Sequence, residues 1–306
     1  MKKEVISVLL LFLTALMWGT SFSARKIGLL YMTPIFFNGL RFLLGCFFII
    51  LIYIIFQKGK LDPTKSVNGE ELLSLKTQIK GGAIMGLILG MGGLFQQLAL
   101  VSGTAGKTAF FTALYTVMVP IISAIFLRTK VPGKVWVGAV IAVAGIYLIG
   151  GGGGFSMSQS DVLALFCALS FAIQILVTGK FSPKSNGLFL SIVQAFVAGI
   201  LNLIIALFIE SGNSFEAVMK AFWPLIVSSL VAMAIPYSLQ IIAQKNAPPS
   251  IAAIVLSLES VFGALFGAAV LGERMTIIQI MGCVLIFCAI VIAQLKLKRN
   301  RNMIGG

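Results

Sequence analysis

Apolar residues fall along this chain in long, nearly unbroken runs, and polar residues gather between them in short clusters. An α-helix needs about 17 to 25 such residues to cross the hydrocarbon of a bilayer. On that rule the pattern predicts spans at Val5–Phe22, Thr33–Phe56, Ile79–Val101, Thr108–Leu127, Gly133–Ile149, Val162–Thr178, Gly187–Ile209, Trp223–Ala243, Ser250–Leu271 and Ile277–Leu295, ten transmembrane helices in all. The uncharged linker Gly150-Gly-Gly-Gly-Gly-Phe-Ser-Met-Ser separates the fifth and sixth, which are both short; merged, they would be far too long for a bilayer. Helices are the only open-ended structure that satisfies the backbone in lipid, so the expected fold class is an all-α integral membrane protein. A signal peptide is a rival reading of the first run, because Met1-Lys-Lys precedes it and Ser21-Phe-Ser-Ala offers small residues for cleavage.

The chain matches itself. At an offset of 144, spans 3 to 5 align with spans 8 to 10 without a gap: Gln96 meets Gln240, Ala109 meets Ala253, Leu114 meets Leu258, and Gly138 meets Gly282. Nearer the start the offset becomes 153, where Ala15-Leu-Met-Trp-Gly faces Ala168-Leu-Ser-Phe-Ala, so the first span has a counterpart and is expected to be retained. The expected halves are residues 1–150, holding spans 1 to 5, and 151–306, holding spans 6 to 10 and a basic tail. A unit of five spans enters the membrane from opposite sides in its two copies, so the repeats should be inverted, with a shared central site that can open to each side in turn. The bland counterpart is a duplicated bundle with no path through it.

Charge orients the bundle. With the N-terminus inside, Lys2, Lys3, the lysines of the loop 57–78, Arg128, Lys130, Lys134, Lys180, Lys184, Lys245 and the Lys296-Leu-Lys-Arg tail are cytoplasmic. Only Arg25, Lys26, Lys107, Lys220 and Arg274 are then outside, and both termini are expected to be cytoplasmic. The loop 57–78 is read as solvated, with a short helix at Glu70–Gln78, and its lysines and the tail favour an anionic inner leaflet.

Composition removes several function classes. Of 306 residues 59% are hydrophobic and 10% charged, and the mean hydropathy is +1.06, which leaves a water-soluble fold without a surface. The net charge of +14 is spread over short loops and forms no nucleic-acid footprint. Cys46, Cys167, Cys283 and Cys288 lie inside apolar runs without disulfide or metal-ligand spacing, and there is no histidine. Metal-dependent and Ser/His or Cys/His chemistry lose their usual residues. No nucleotide-binding motif, cofactor motif, charged ring or filter-like repeat is visible.

The segments Trp18-Gly-Thr-Ser-Phe, Leu40-Arg-Phe, Leu256-Ser-Leu-Glu-Ser-Val-Phe-Gly-Ala-Leu and Leu271-Gly-Glu-Arg-Met-Thr, with the length and the 5+5 layout, resemble a drug/metabolite transporter of the EamA type over nearly the whole chain. Family members often carry Glu-Pro where this chain has Glu259-Ser260. The resemblance implies secondary transport of a small organic metabolite at the cell membrane, often export of amino acids or related solutes, with no cofactor. A non-transporting membrane scaffold and an intramembrane enzyme are the other classes.

Ionisable groups in the hydrocarbon cost about 2.5–3.5 kcal/mol on insertion scales. Arg41 and Glu259 are the clear cases, and they are expected either to pair or to share the wall of a central cavity, with Arg41 able to grip a carboxylate or phosphate. A structural ion pair is the plainer alternative. If a proton is the coupling ion, Glu259 is the first candidate to titrate; a homodimer stays open. Asn38 lies three residues from Arg41 on one helical face. Gln96 and Gln240 place one amide on each half, and Tyr115 and Tyr237 add hydroxyls at membrane depth. Trp18 is read as a residue of the interfacial aromatic belt, with stacking on a flat solute as the alternative. Pro120 and Pro236 should kink their helices. Gly82, Gly86 and Gly90, like Gly263 and Gly267 below Glu259, recur every four residues as close-packing stripes. Glu273-Arg274 is assigned to an outer turn without a transport role.

Overall fold

The computed structural model describes residues 2–56, 62–64, 71–103, 105–149, 158–271 and 276–294. The linker 150–157, Glu273-Arg274, the basic tail and residues 57–61 and 65–70 of the loop 57–78 lie outside them. Among the described residues the regular structure is helical: α1 (Lys2–Gly28), α2 (Pro34–Phe56), α3 (Leu75–Ser102), α4 (Ala105–Thr112), α5 (Tyr115–Ile125), α6 (Gly133–Ile149), α7 (Gln159–Phe181), α8 (Gly187–Ile209), the short α9 (Phe215–Lys220), α10 (Phe222–Val227), α11 (Ile235–Ala243), α12 (Pro249–Leu256), α13 (Leu258–Leu271) and α14 (Ile277–Gln294). Eight helical stretches are long and apolar enough to cross a membrane, and two shorter apolar helices, Gly133–Leu148 and Ile277–Ala293, accompany them.

Local chemistry explains the helix starts. Ser74 accepts from Thr77 N to open α3, Ser158 and Asp161 cap each other's backbone at α7, and Asn186 accepts from Phe189 N at α8. The helix expected at Glu70–Gln78 is instead the first turn of α3, which begins at Leu75. Two spans are broken in mid-course. One turns at Ala113–Leu114 between α4 and α5, and another at Ser257 between α12 and α13. Leu114 and Leu258 are partners at the 144 offset, so the breaks are equivalent features of the two halves. Pro120 lies inside α5; Pro236 opens α11 directly after a wide π-helical turn at Ser228–Ala234, where the helix accommodates the missing N–H.

Packing between helices related by the two sequence offsets comes in matched pairs. α1 lies on α13 and α11 as α7 lies on α4, α5 and α3, while α2 packs on α8 and α6 on α14. The equivalent helices run antiparallel. Along α2 and α8, Asn38 meets Asn202 while Cys46 meets Ile192; along α6 and α14, Gly138 faces Ala289 while Gly145 faces Gly282. Glycine allows these approaches. A Cβ on Gly86 would stand 2.7 Å from Gln194 O, and Cβ atoms on Gly82 and Gly90 would meet Val193 and Leu201, so the α3 stripe is a packing seam against α8. Large apolar side chains such as Ile55, Phe196 and Phe208 stay exposed on the outside, where lipid solvates them.

Candidate functional site

Trp18, Ser21, Phe22 and Arg25 project from one face of α1 into a small cavity at the centre of the bundle. Arg41 of α2, Gln96 of α3, Phe171 of α7, Ala232 and Tyr237 of the eighth span, and Glu259 of α13 complete the wall. Both halves of the chain contribute. About 10 Å³ is left for the centre of a water molecule, so the cavity has room for roughly one water.

Arg25 is the residue that sequence reasoning misplaced. The charge pattern places it in an outer loop, but α1 continues to Gly28 and carries Arg25 inward, where it is 4% exposed. Its Nη1 donates to Gln96 Oε1 at 2.7 Å, and its guanidinium lies over the Phe22 ring at 4.7 Å. Its Nε and Nη2 have no acceptor. Lys26, one residue on, turns to the helix ends and donates to the carbonyls of Leu100 and Gly103 at 2.7 and 2.8 Å.

Arg41 and Glu259 share the wall without forming an ion pair, so the structural pair offered as the plainer alternative is absent between these two residues. Arg41 Nη2 donates to Asn38 Oδ1 at 2.6 Å, and Asn38 Nδ2 donates to Asn202 Oδ1 at 2.9 Å. Asn202 in turn donates to the carbonyls of Gly90 and Ala198. Asn38 therefore positions Arg41 from behind and does not line the cavity. Glu259, 2% exposed, stands close enough to Arg25 for their charges to attract, and its Oε1 has no hydrogen-bond partner. Tyr115, its equivalent across the 144 offset, follows the other helix break and lies beside the Glu259 carboxyl.

Trp18 is not an interfacial belt residue. It is buried against Tyr237, with ring centroids 4.9 Å apart, and its Nε1 lacks an acceptor. Gln96 lines the cavity, but its counterpart Gln240 belongs to a separate amide cluster. Gln240 Nε2 donates to Gln174 and Gln244, Gln174 Nε2 donates to Gln194, and Gln244 Nε2 donates to the carbonyl of Ile175. The structure thus gathers Trp18, Arg41, Gln96, Tyr237 and Glu259 on one cavity, sets Tyr115 and Asn38 behind two of them, and leaves Gln240 apart.

The model of the EamA-like transporter family matches residues 5–151 and 159–294. An uncharacterized transporter of Archaeoglobus fulgidus is 33% identical over 294 residues, which cover 96% of this chain and 87% of the relative. The uncharacterized transporter YoaV of Bacillus subtilis is 24% identical, covering 94% of this chain and 96% of the relative. The uncharacterized inner membrane transporter YedA of Escherichia coli K12 is 23% identical, covering 93% and 89%. A crystal structure described only as that of a protein shares the fold at a TM-score of 0.74 and 16% identity, covering 94% of this chain and 98% of that one.

Proposed function

From the chain's membership of the EamA-like transporter family as an integral protein of the cell membrane, we propose that it carries a small organic solute by alternating access, as a secondary transporter working as an exporter. The reading includes ten spans arranged as two inverted five-helix repeats, residues 1–150 and 151–306, with both termini cytoplasmic and the solute held between them. The carrying observation is the small cavity lined from both ends of the chain, where two guanidinium groups and a carboxylate are buried. Ionisable groups at this depth mark solute and ion pathways far more often than they serve packing. Further support comes from the antiparallel course of equivalent helices and from the equivalent breaks at Ala113–Leu114 and Ser257, because broken helices at the interface of repeats are where carriers bind their cargo.

In this cycle the two halves rock about the cavity. Arg25, Arg41 and Gln96 orient the polar end of the solute, Trp18, Phe171 and Tyr237 cover its apolar part, and Glu259 takes up a proton when transport is proton-coupled. The export direction is drawn from the family resemblance. Proteoliposomes loaded with a cell-metabolite mixture, carrying the protein or an empty membrane, test it by mass spectrometry of what leaves. The expected result is protein-dependent loss of a restricted solute class, absent with Glu259→Gln or Arg41→Gln; retention of every class would overturn the reading.

A further inference from the structure

The charges of the central cavity do not cancel. Arg25 and Arg41 face a single carboxylate, Glu259, among the residues of the wall. Guanidinium groups stay protonated in proteins, so one positive charge is in excess when Glu259 is ionised, and protonating Glu259 only enlarges the excess. The unpartnered atoms tell the same story. Arg25 Nε and Nη2, Arg41 Nε and Trp18 Nε1 are buried N–H donors without an acceptor, against one unpartnered acceptor on the wall, Glu259 Oε1. Unmet buried donors are costly and rare in native structures.

The fold itself does not require these cations. At the 153 offset Arg25 corresponds to Thr178 and Arg41 to Gln194, and α2 and α8 coincide end to end under that shift. The second half therefore packs the same positions with buried neutral side chains, and Gln194 Oε1 accepts from Gln174 Nε2. The cationic pair belongs to one half only, on the cavity.

We propose that the cargo carries an anionic group, a carboxylate or a phosphate monoester, seated between Arg25 and Arg41. The inference rests on the carrier reading only in taking the cavity as the cargo site. Planar guanidinium forks match the oxygen geometry of both groups. Glu259 is the resident counter-charge of the cavity, and the arriving anion competes with it for Arg25. The aromatic faces of Trp18, Phe171 and Tyr237 then cover an apolar body attached to the anion. With about one water's worth of room, the cavity must widen to admit it.

Thermal unfolding of the purified full chain, in buffer free of carboxylate and phosphate, tests this with four size-matched sets: monocarboxylates, phosphate monoesters, primary amines and neutral amides. A ligand that binds only the folded state raises Tm, by about 2 °C or more once it is well above its Kd. The expected result is a rise with a member of the carboxylate or phosphate set, and the responding set identifies the group. The rise should vanish in Arg25→Gln, persist more weakly in Arg25→Lys, which keeps the charge without the fork, and grow in Glu259→Gln, which removes the competing carboxylate. Should Arg25→Gln fail to fold, Arg25→Lys and Glu259→Gln still carry opposite signs. Stabilisation by amines alone, lost in Glu259→Gln, would overturn the anion inference and leave the carrier reading standing. A silent panel would overturn it too, while labelling of the cavity wall from the two sides of the membrane judges alternating access without any cargo.

Discussion

Some buried polar side chains of this bundle are satisfied by protein, and others, Arg25, Arg41, Trp18 and Glu259 among them, keep unpartnered atoms at the cavity. Asn202 is the clearest of the first group, bonded to Asn38, Gly90 O and Ala198 O at once. Asn202→Ala should cost about 1–2 kcal/mol, because interhelical bonds in lipid are individually modest. A thermal double-mutant cycle with Asn38→Ala should show the pair to be non-additive; strict additivity would mean that the Asn38–Asn202 bond contributes nothing. At this scale the sequence was legible where an ionisable group interrupted an apolar run, as with Arg41 and Glu259. It misled at Arg25, which sits beside Lys26 in what reads as a polar loop. The information was present nonetheless: Trp18, Ser21, Phe22 and Arg25 share a helical face, and the sixth span, shifted back by 153, already covers position 25. Hydropathy penalises a charge wherever it stands, so a cation that faces a cavity looks like one that ends a helix.

Helices here approach closely only where glycine permits. Gly86→Ala would drive a Cβ to 2.7 Å from the Gln194 carbonyl, whereas a Cβ on Gly133 meets nothing within 4 Å. Gly86→Ala should therefore lower stability by about 1–3 kcal/mol, as overpacking does. Gly133→Ala should stay within about 0.5 kcal/mol of the parent. Melting curves of the two variants in one detergent check the contrast, and equal Tm values would contradict the α3–α8 seam. The glycine stripe on α3 was readable from its four-residue period, but the breaks between α4 and α5 and between α12 and α13 were not. No proline or glycine marks Ala113–Leu114 or Ser257, so nothing local announces them. They are set by tertiary packing, and they place Tyr115 and Glu259 beside each other.

At the scale of the whole molecule the helical, membrane-spanning character was the part most open to sequence reasoning, because long apolar runs are insensitive to side-chain detail. The main contacts repeat the internal alignment: α1 on α13 and α11 mirrors α7 on α4, α5 and α3. Chemistry is where the halves part, with arginines on one side and amides on the other, and no alignment of backbones foretells which side meets the solute. Orientation rests on the basic loops. A phosphatase that is active only outside the cytoplasm should work when fused within the 150–157 linker and fail at the C-terminus; the reverse pattern would invert the assignment. The most direct test of alternating access places one thiol in the cavity wall. Ser21, which lines the cavity beside Arg25, is changed to Cys in a chain whose Cys46, Cys167, Cys283 and Cys288 are all replaced by Ala. A membrane-impermeant maleimide is then applied to either face of sealed vesicles. Labelling from both faces, slowed when a stabilising solute is bound, is the result this account predicts, and a thiol that reacts from one face only, or from neither, would contradict it.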